Sequence, residues 1–221
     1  MQEVIKLSKF NEEMQIFELL YCYCYYTSDL SSQVYKGELF MTKVGIVVGS
    51  TREGSFSGRV AKAIEGLLPS DYEVTYLEVA QLPLYNQDYD GNDPVEYGPF
   101  RDLVEEQDAY IFVTPEHNRS VPAALKNALD IASRPYGENK WGGKPALIAS
   151  QSPGAISGFG ANHHLRQILT FLNVFTVQQP EVYIAETPSL FGENGEFLQD
   201  GTEEFLRSAV EQFDVLINAI N

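Results

Sequence analysis

Cysteine is nearly absent from this chain: there are two in 221 residues, Cys22 and Cys24, both among the first forty. One residue apart, they are poorly placed for a disulfide with each other and too few for a zinc site. The rest of the sequence has none, so a disulfide framework and a cysteine-ligated iron–sulfur cluster are excluded there, and a reducing cytoplasm is the expected compartment. Positive charge is also scarce. Fifteen Lys and Arg face 31 Asp and Glu, giving a formal charge of −16 and a pI near 4.5. Such a field repels nucleic acid and anionic membranes, so neither is expected as a partner. Internal repeats and low-complexity tracts are missing. No Ser-His-Asp or Cys-His set is spaced for hydrolysis.

What is present suits one core. At 221 residues and 44% apolar, the chain supports one sizeable domain. Residues 1–40 stand apart. They carry the aromatic run Tyr21-Cys-Tyr-Cys-Tyr-Tyr26, have no glycine before Gly37, and place Glu12, Glu13 and Glu18 around their apolar part. This segment is too short and too acidic for a membrane span and lacks the layout of a signal peptide. Met41-Thr-Lys-Val-Gly-Ile-Val-Val-Gly-Ser50 reads like a fresh protein start running into a strand. The expectation is an accessory or non-native extension over 1–40 and one domain over 41–221. The alternative for the extension is a short helix over Asn11–Tyr21 packing on the domain.

From Met41 onward the pattern alternates between short apolar runs and stripes of helical period. Strands are expected at Lys43–Val48, Glu73–Val79, Ala109–Val113 and Pro145–Ser150, with a fifth from Val174–Val177 and Val182–Ala185. Helices are expected at Gly58–Leu68, Pro99–Gln107, Pro122–Ser133, Asn162–Leu172 and Thr202–Ile220. Ser120 is the expected N-cap of the third and Pro122 falls in its first turn. Leu82–Asp93 reads as an irregular loop. The last helix carries an unbroken stripe of Leu206, Ala209, Val210, Phe213, Leu216, Ile217 and Ile220. Five strands alternating with helices imply a three-layer, doubly wound α/β fold around a parallel sheet. The flavodoxin-like strand order 2-1-3-4-5 is preferred, because it puts the loops after strands one and three at the switch point, where such sheets bind ligands.

Those two loops have the richest chemistry. Gly49-Ser-Thr-Arg-Glu-Gly-Ser-Phe-Ser-Gly58 offers hydroxyls from Ser50, Thr51, Ser55 and Ser57, a guanidinium from Arg52, and the N-terminus of the following helix. It lacks Gly-x-x-x-x-Gly-Lys-Ser/Thr and a clean Gly-x-Gly-x-x-Gly, so a monophosphate fits better than a dinucleotide. Read on its own, the loop is either an anion cradle or an ordinary glycine-rich turn. The second segment is Thr114-Pro-Glu-His-Asn-Arg-Ser-Val-Pro-Ala-Ala-Leu-Lys-Asn, at the end of the third strand. Together the two suggest a ligand with an anion at one end and a flat polar ring at the other.

Three ordered motifs resemble the NAD(P)H-dependent FMN reductase family, which includes bacterial quinone and chromate reductases. The first is Gly49-Ser-Thr-Arg-Glu-Gly-Ser-Phe-Ser-Gly-Arg-Val-Ala61. The second is Thr114-Pro-Glu-His-Asn-Arg-Ser-Val-Pro-Ala-Ala-Leu-Lys-Asn-Ala-Leu-Asp130. The third is Gly154-Ala-Ile-Ser-Gly158 followed by His164-Leu-Arg-Gln-Ile-Leu169. The likeness runs from about Met41 to the C-terminus. It implies a flavodoxin-like fold, bound FMN, and NADPH or NADH as co-substrate. Ser50, Arg52, Ser55 and Ser57 would hold the FMN phosphate, although many members carry Asn at the position of Ser57. Pro115, Glu116, His117 and Asn118 would line the ring edge, largely through backbone groups, and Ser152 and Gly154 would approach the ring from the loop after strand four. No catalytic side chain and no metal are implied, since the flavin carries the chemistry.

The resemblance implies further that quinones, azo dyes, nitro compounds or chromate are the acceptors and that the chain is a homodimer or homotetramer. Three positions depart from the pattern: His117 stands in place of the usual Tyr, and in the chromate-reducing branch Gly160 and His163 stand where Arg and Tyr are found. His163 and His164 diverge by about 100° on a helix, which suits capping or interface contacts rather than a metal. Trp141, in the Gly-rich turn Lys140-Trp-Gly-Gly-Lys144, is expected at the surface or bordering the flavin pocket of a partner subunit. Arg59, Arg119 and Arg134 are the candidates for a nucleotide 2′-phosphate. The competing function is an electron carrier serving protein partners, which the strong acidity would suit. A flavin-free scaffold is the third.

Overall fold

Strand β1 (Thr42–Val48) buries alternate residues on opposite sides: Val44 and Ile46 face one hydrophobic cluster and Val47 the other. The same split recurs in β3 (Ala109–Pro115), where Ile111 and Val113 oppose Tyr110 and Phe112. It recurs again in β4 (Pro145–Gln151), where Leu147 and Ala149 oppose Ala146 and Ile148. Period-two side chains buried on both faces are the mark of a parallel sheet covered by helices on each side. Each fully buried Val, Leu, Ile or Phe stabilises the fold by roughly 1.5–3 kcal/mol relative to exposure.

The structure is a computed structural model that describes residues 41–220. The expectations for residues 1–40 lie outside the described residues. Along the chain, β1 is followed by α1 (Phe56–Glu65), β2 (Tyr72–Tyr76), a 3₁₀ turn (Gln87–Tyr89), α2 (Tyr97–Glu105), β3 and α3 (Ala123–Ala132). After β4 come α4 (Phe159–Phe171), β5 (Phe175–Thr176), β6 (Val182–Ile184), the short α5 (Thr187–Leu190) and α6 (Thr202–Ile220). The described strands all pair in parallel and the path is β2-β1-β3-β4-β5, the order expected from sequence. Helices α1 and α6 cover one face. Helices α2, α3 and α4 cover the other.

Three local details differ from the expectation. The fifth strand is two pieces, β5 against Pro145–Ala146 and β6 against Ala149–Gln151, because Gln178–Glu181 interrupts the edge with Pro180. Pro122, not Ser120, is the N-cap of α3, with extended φ and ψ and no side-chain cap. Ser120 instead closes a turn with His117 and meets His164 Nδ1 through its hydroxyl at 3.0 Å. Trp141 is fully buried, packed edge-on to Tyr110 with centroids 5.0 Å apart and donating Nε1–H to the Leu129 carbonyl at 3.2 Å. A bulky indole among glycines satisfies its one donor and fills the core, so it borders neither the surface nor a neighbouring subunit's pocket.

Candidate active site

Strands β1, β3 and β4 end side by side, and the loops that follow them meet at the switch point of the sheet. The first loop is fixed by Gly49, whose N–H donates to the Val113 carbonyl at 2.8 Å. A Cβ at Gly49 would lie 3.1 Å from Leu125 Cδ2 and 3.4 Å from Pro115 Cδ, so glycine lets β1 end tight against α3. Gly54, at φ +64°, turns the chain into α1. Ser55 then caps that helix: its Oγ accepts from Gly58 N at 3.1 Å. The cap uses a lone pair of the hydroxyl and leaves its proton free to donate. The N–H groups of Phe56 and Ser57 begin the helix without carbonyl partners in their own helix.

Arg52 gives one N–H to the Gly54 carbonyl at 3.3 Å and lies 5.4 Å from the centroid of the Phe56 ring, which fixes its stem and leaves guanidinium donors for an anion.

The second loop is a tight turn. His117 and Ser120 exchange backbone hydrogen bonds at 2.9 Å in both directions, with Asn118 at φ 50° and Arg119 at φ 66°. Positive φ at both central residues is the hairpin geometry that Asn tolerates and Arg resists, at a cost on the order of 1 kcal/mol. Glu116 secures it. Its carboxylate pairs with Arg119 Nη1 at 3.1 Å and accepts the Ala161 N–H at 3.1 Å. The second contact caps α4, where a negative charge is favourable. It also explains Gly160: a Cβ there would lie 3.0 Å from both Glu116 Oε2 and the Arg119 carbonyl.

The third loop starts at Ser152, whose N–H donates to the Ile184 carbonyl at 3.0 Å. Its hydroxyl donates to the Gly154 carbonyl and accepts the Gly154 N–H, both at 2.9 Å.

Between the loops lies a cleft of about 400 Å³. Ser50, Arg52, Ser55, Pro115, Glu116, His117 and Ser152 line it, as expected from sequence; Ser57, Asn118 and Gly154 do not. Ser57 is fully buried and its Oγ accepts from Gln151 Nε2 at 2.9 Å, so its hydroxyl oxygen is turned to β4. Asn118 borders a second, larger groove between α3 and α4. Gly154 is set by its pairing with Ser152. Gln151, Phe56 and Pro153 also line the cleft and were missed. Gln151 had one signal: it is a long polar residue ending a strand that is otherwise apolar or small, beside the site-like loop.

At the start of α4, Phe159 and His163 form a cluster with Tyr183 of β6, with ring centroids 4.3 Å apart for Phe159–His163 and 5.3 Å for Phe159–Tyr183. The Tyr183 hydroxyl meets His163 Nε2 at 3.2 Å. Burial, followed by the neighbouring Glu181, pushes the Tyr183 phenol up to about 12. Of the three candidate 2′-phosphate residues, Arg119 is paired with Glu116, Arg134 borders the α3–α4 groove, and Arg59 borders, with Lys62, a second hollow on the first loop that shares Ser50, Arg52 and Ser55 with the cleft. Among the described residues no cluster of His, Cys, Asp or Glu could hold a metal ion. No described helix is long and apolar enough to cross a membrane.

A doubly wound parallel sheet with a hydroxyl, guanidinium and helix-amide cradle at its switch point defines a phosphate-bearing-cofactor α/β protein. The chain belongs to the NADPH-dependent FMN reductase family, whose model matches residues 42–189. It is 48% identical over 183 residues to a quinone reductase of Pseudomonas putida, covering 82% of this chain and 94% of that protein. It is 40% identical over 171 residues to a 2-hydroxy-1,4-benzoquinone reductase of Burkholderia sp., covering 77% and 93%. Among solved structures, a flavoenzyme NAD(P)H:(acceptor) oxidoreductase of Paracoccus denitrificans matches with a TM-score of 0.76 at 34% identity, covering 81% of this chain and 98% of that one. The protein is thus an oxidoreductase of this flavin-dependent class.

Proposed function

We propose that the cleft holds FMN and that the protein carries reducing equivalents from NADPH or NADH to a quinone or a similar small acceptor such as an azo, nitro or chromate compound. The observation that carries this reading is the donor set of the first loop. Ser50, Arg52, Ser55 and Phe56 line the cleft together, and the serine hydroxyls, the Arg52 fork and the free amides of the first turn of α1 are all donors suited to a phosphate monoester. Bound there, FMN supplies the chemistry by accepting a hydride from the nicotinamide and releasing both electrons to the acceptor.

The chain's own part is to bind, orient and screen. Arg52 offsets phosphate charge in a protein that is otherwise strongly acidic. Ser57 contributes its backbone N–H rather than its hydroxyl. Pro115, Glu116 and His117 border the ring through a turn made rigid by the Glu116–Arg119 and Glu116–Ala161 contacts. Because both carboxylate oxygens of Glu116 are engaged there, that side chain is a brace and not a proton carrier. Asn118 and Gly154 shape the two loop tips, and Ser152 fixes the approach of the third loop.

The reading places the activity in residues 41–221, with 1–40 as an accessory segment, in the cytoplasm and in a homodimer or homotetramer. The α3–α4 groove of about 830 Å³, bordered by the exposed Phe171, supports an assembled form. The test is anaerobic. FMN-loaded protein should bleach near 450 nm on addition of NADPH or NADH and regain its colour with one equivalent of benzoquinone. Flavin that stays bound but ignores both nucleotides would point to the electron carrier instead.

A further inference from the structure

Three buried polar side chains meet at the back of the cleft, and the reading above gives their polar atoms no role. Gln151 closes β4 and is 4% exposed; Ser57 in α1 and Thr187 in α5 are fully buried. Gln151 Nε2 donates to Ser57 Oγ at 2.9 Å, and Gln151 Oε1 lies 3.0 Å from Thr187 Oγ1. The same Thr187 hydroxyl lies 3.0 Å from the Ser152 carbonyl, which also accepts the Thr187 N–H at 3.2 Å. One amide therefore joins the first turn of α1 to the start of the loop after β4. Polar groups buried to this degree persist only when satisfied, and here each holds another in place.

We propose that Gln151 is a positioning residue for the cofactor: held by Thr187, it sets the first turn of α1 and the Ser152 loop in a fixed relation, so that phosphate cradle and ring edge are preorganised together. This rests on the FMN reading above. Gln151 is suited to it because it is the member of the trio that also lines the cleft. Its amide presents a donor to Ser57 and an acceptor to Thr187, a pairing that no aliphatic side chain reproduces. The charged and titratable groups sharing the cleft are Arg52, Glu116 and His117, and Arg52 is the cation among them that a new carboxylate at position 151 would set against the phosphate.

The test is FMN affinity of the full-length protein, stripped of flavin and titrated by flavin fluorescence, with thermal melting recorded alongside. Gln151→Ala should raise the Kd for FMN about tenfold or more, the scale of a buried hydrogen-bonded group left without its partner. Thr187→Val should weaken FMN binding and Thr187→Ser should restore it to within about twofold, since the hydroxyl is what the contact uses. Gln151→Glu is the sharpest variant. Ser57 and Thr187 can both donate to a carboxylate, so the fold is kept while a negative charge is set near the phosphate. Burial and the phosphate favour its neutral form, so FMN should bind more tightly at pH 5.5 than at pH 8. The unaltered protein should not weaken as pH rises over that range, because a phosphate monoester gains its second charge near pH 6, toward its lower end.

Equal FMN affinity for Gln151→Ala and the unaltered protein would overturn the proposal while leaving the cofactor reading intact. So would a Gln151→Glu variant weakened equally at both pH values, which would mark a role in folding alone. Failure of the unaltered protein to bind FMN would overturn the cofactor reading and this proposal with it.

Discussion

Ser55 carries two duties that one pair of substitutions can separate. Its Oγ accepts from Gly58 N at 3.1 Å, capping α1, while its hydroxyl proton is free to donate into the cleft. Ser55→Asp keeps the cap, because Asp is as good an N-cap as Ser and its charge suits the helix N-terminus. The folded protein should therefore be as stable as before, within about 0.5 kcal/mol. FMN should be lost. A carboxylate about 4 Å from one phosphate charge, at an effective dielectric near 20, is repelled by about 4 kcal/mol. Halving this for the open side of the cleft leaves about 2 kcal/mol, roughly a 30-fold rise in Kd, before the second phosphate charge is counted. Ser55→Ala should behave differently. It removes cap and donor together and costs about 1 kcal/mol of stability, a fall of about 2–4 °C in Tm for a domain of this size. The loss of FMN affinity should be smaller, about five- to tenfold. The assay is a thermal melt of the flavin-free protein beside a fluorescence titration with FMN. A Ser55→Asp protein that melts normally and binds FMN as well as the unaltered one would refute the placement of the phosphate.

Gly160→Ala should lower stability by about 1 kcal/mol, seen as a drop in Tm, because its Cβ would press on the Arg119 carbonyl and Glu116 Oε2 at 3.0 Å, partly offset by better helix propensity. Asn127→Ala should cost about 2 kcal/mol and open the 82–93 loop to limited proteolysis. It removes an acceptor for the Tyr85 N–H at 2.8 Å and a donor to the Pro83 carbonyl at 2.9 Å. Tyrosine ionisation should set the alkaline limit. Burial, then the hydrogen bond to Asp214, raises Tyr72; burial, then the hydrogen bond to Glu65, raises Tyr76; Tyr183 is pushed up to about 12 from an ordinary 10.0. A phenol raised in the folded state stabilises fully below pH 10 and progressively less as pH climbs toward its folded value. Stability by urea titration should be insensitive to these groups near neutrality and fall above pH 10, with their ultraviolet ionisation appearing only as the protein unfolds.

The strand order was legible because short apolar runs alternate with helical stripes from β1 onward, and because the two glycine- and polar-rich loops follow strands one and three. Boundaries were less legible. Helix α1 begins at Phe56 and not Gly58, since the cap is the Ser55 hydroxyl and the glycine is only its hydrogen-bond donor. Seven of the expected cleft residues line the cleft because their motifs are local loops, where sequence order and spatial order coincide. Ser57, Gln151 and Thr187 were illegible as a group. They come from α1, β4 and α5, and the direction of the Ser57 side chain depends on a residue 94 positions away. Trp141 was misread for the same reason: flanking glycines suggest a surface turn, and only the sheet's register shows the aromatic pocket of Tyr110 and Phe112 beneath it.

FMN binding, as proposed, depends on the loop after β1 acting as a phosphate cradle. Parallel titrations of the flavin-free, full-length protein with FMN and with riboflavin test it most directly, because the two ligands share a ring and differ by the phosphate. Charge-assisted hydrogen bonds to a phosphate contribute about 1.5–3 kcal/mol each, so two or more should make FMN bind at least about 100-fold more tightly than riboflavin. Equal affinities, or no binding of either, would contradict the account.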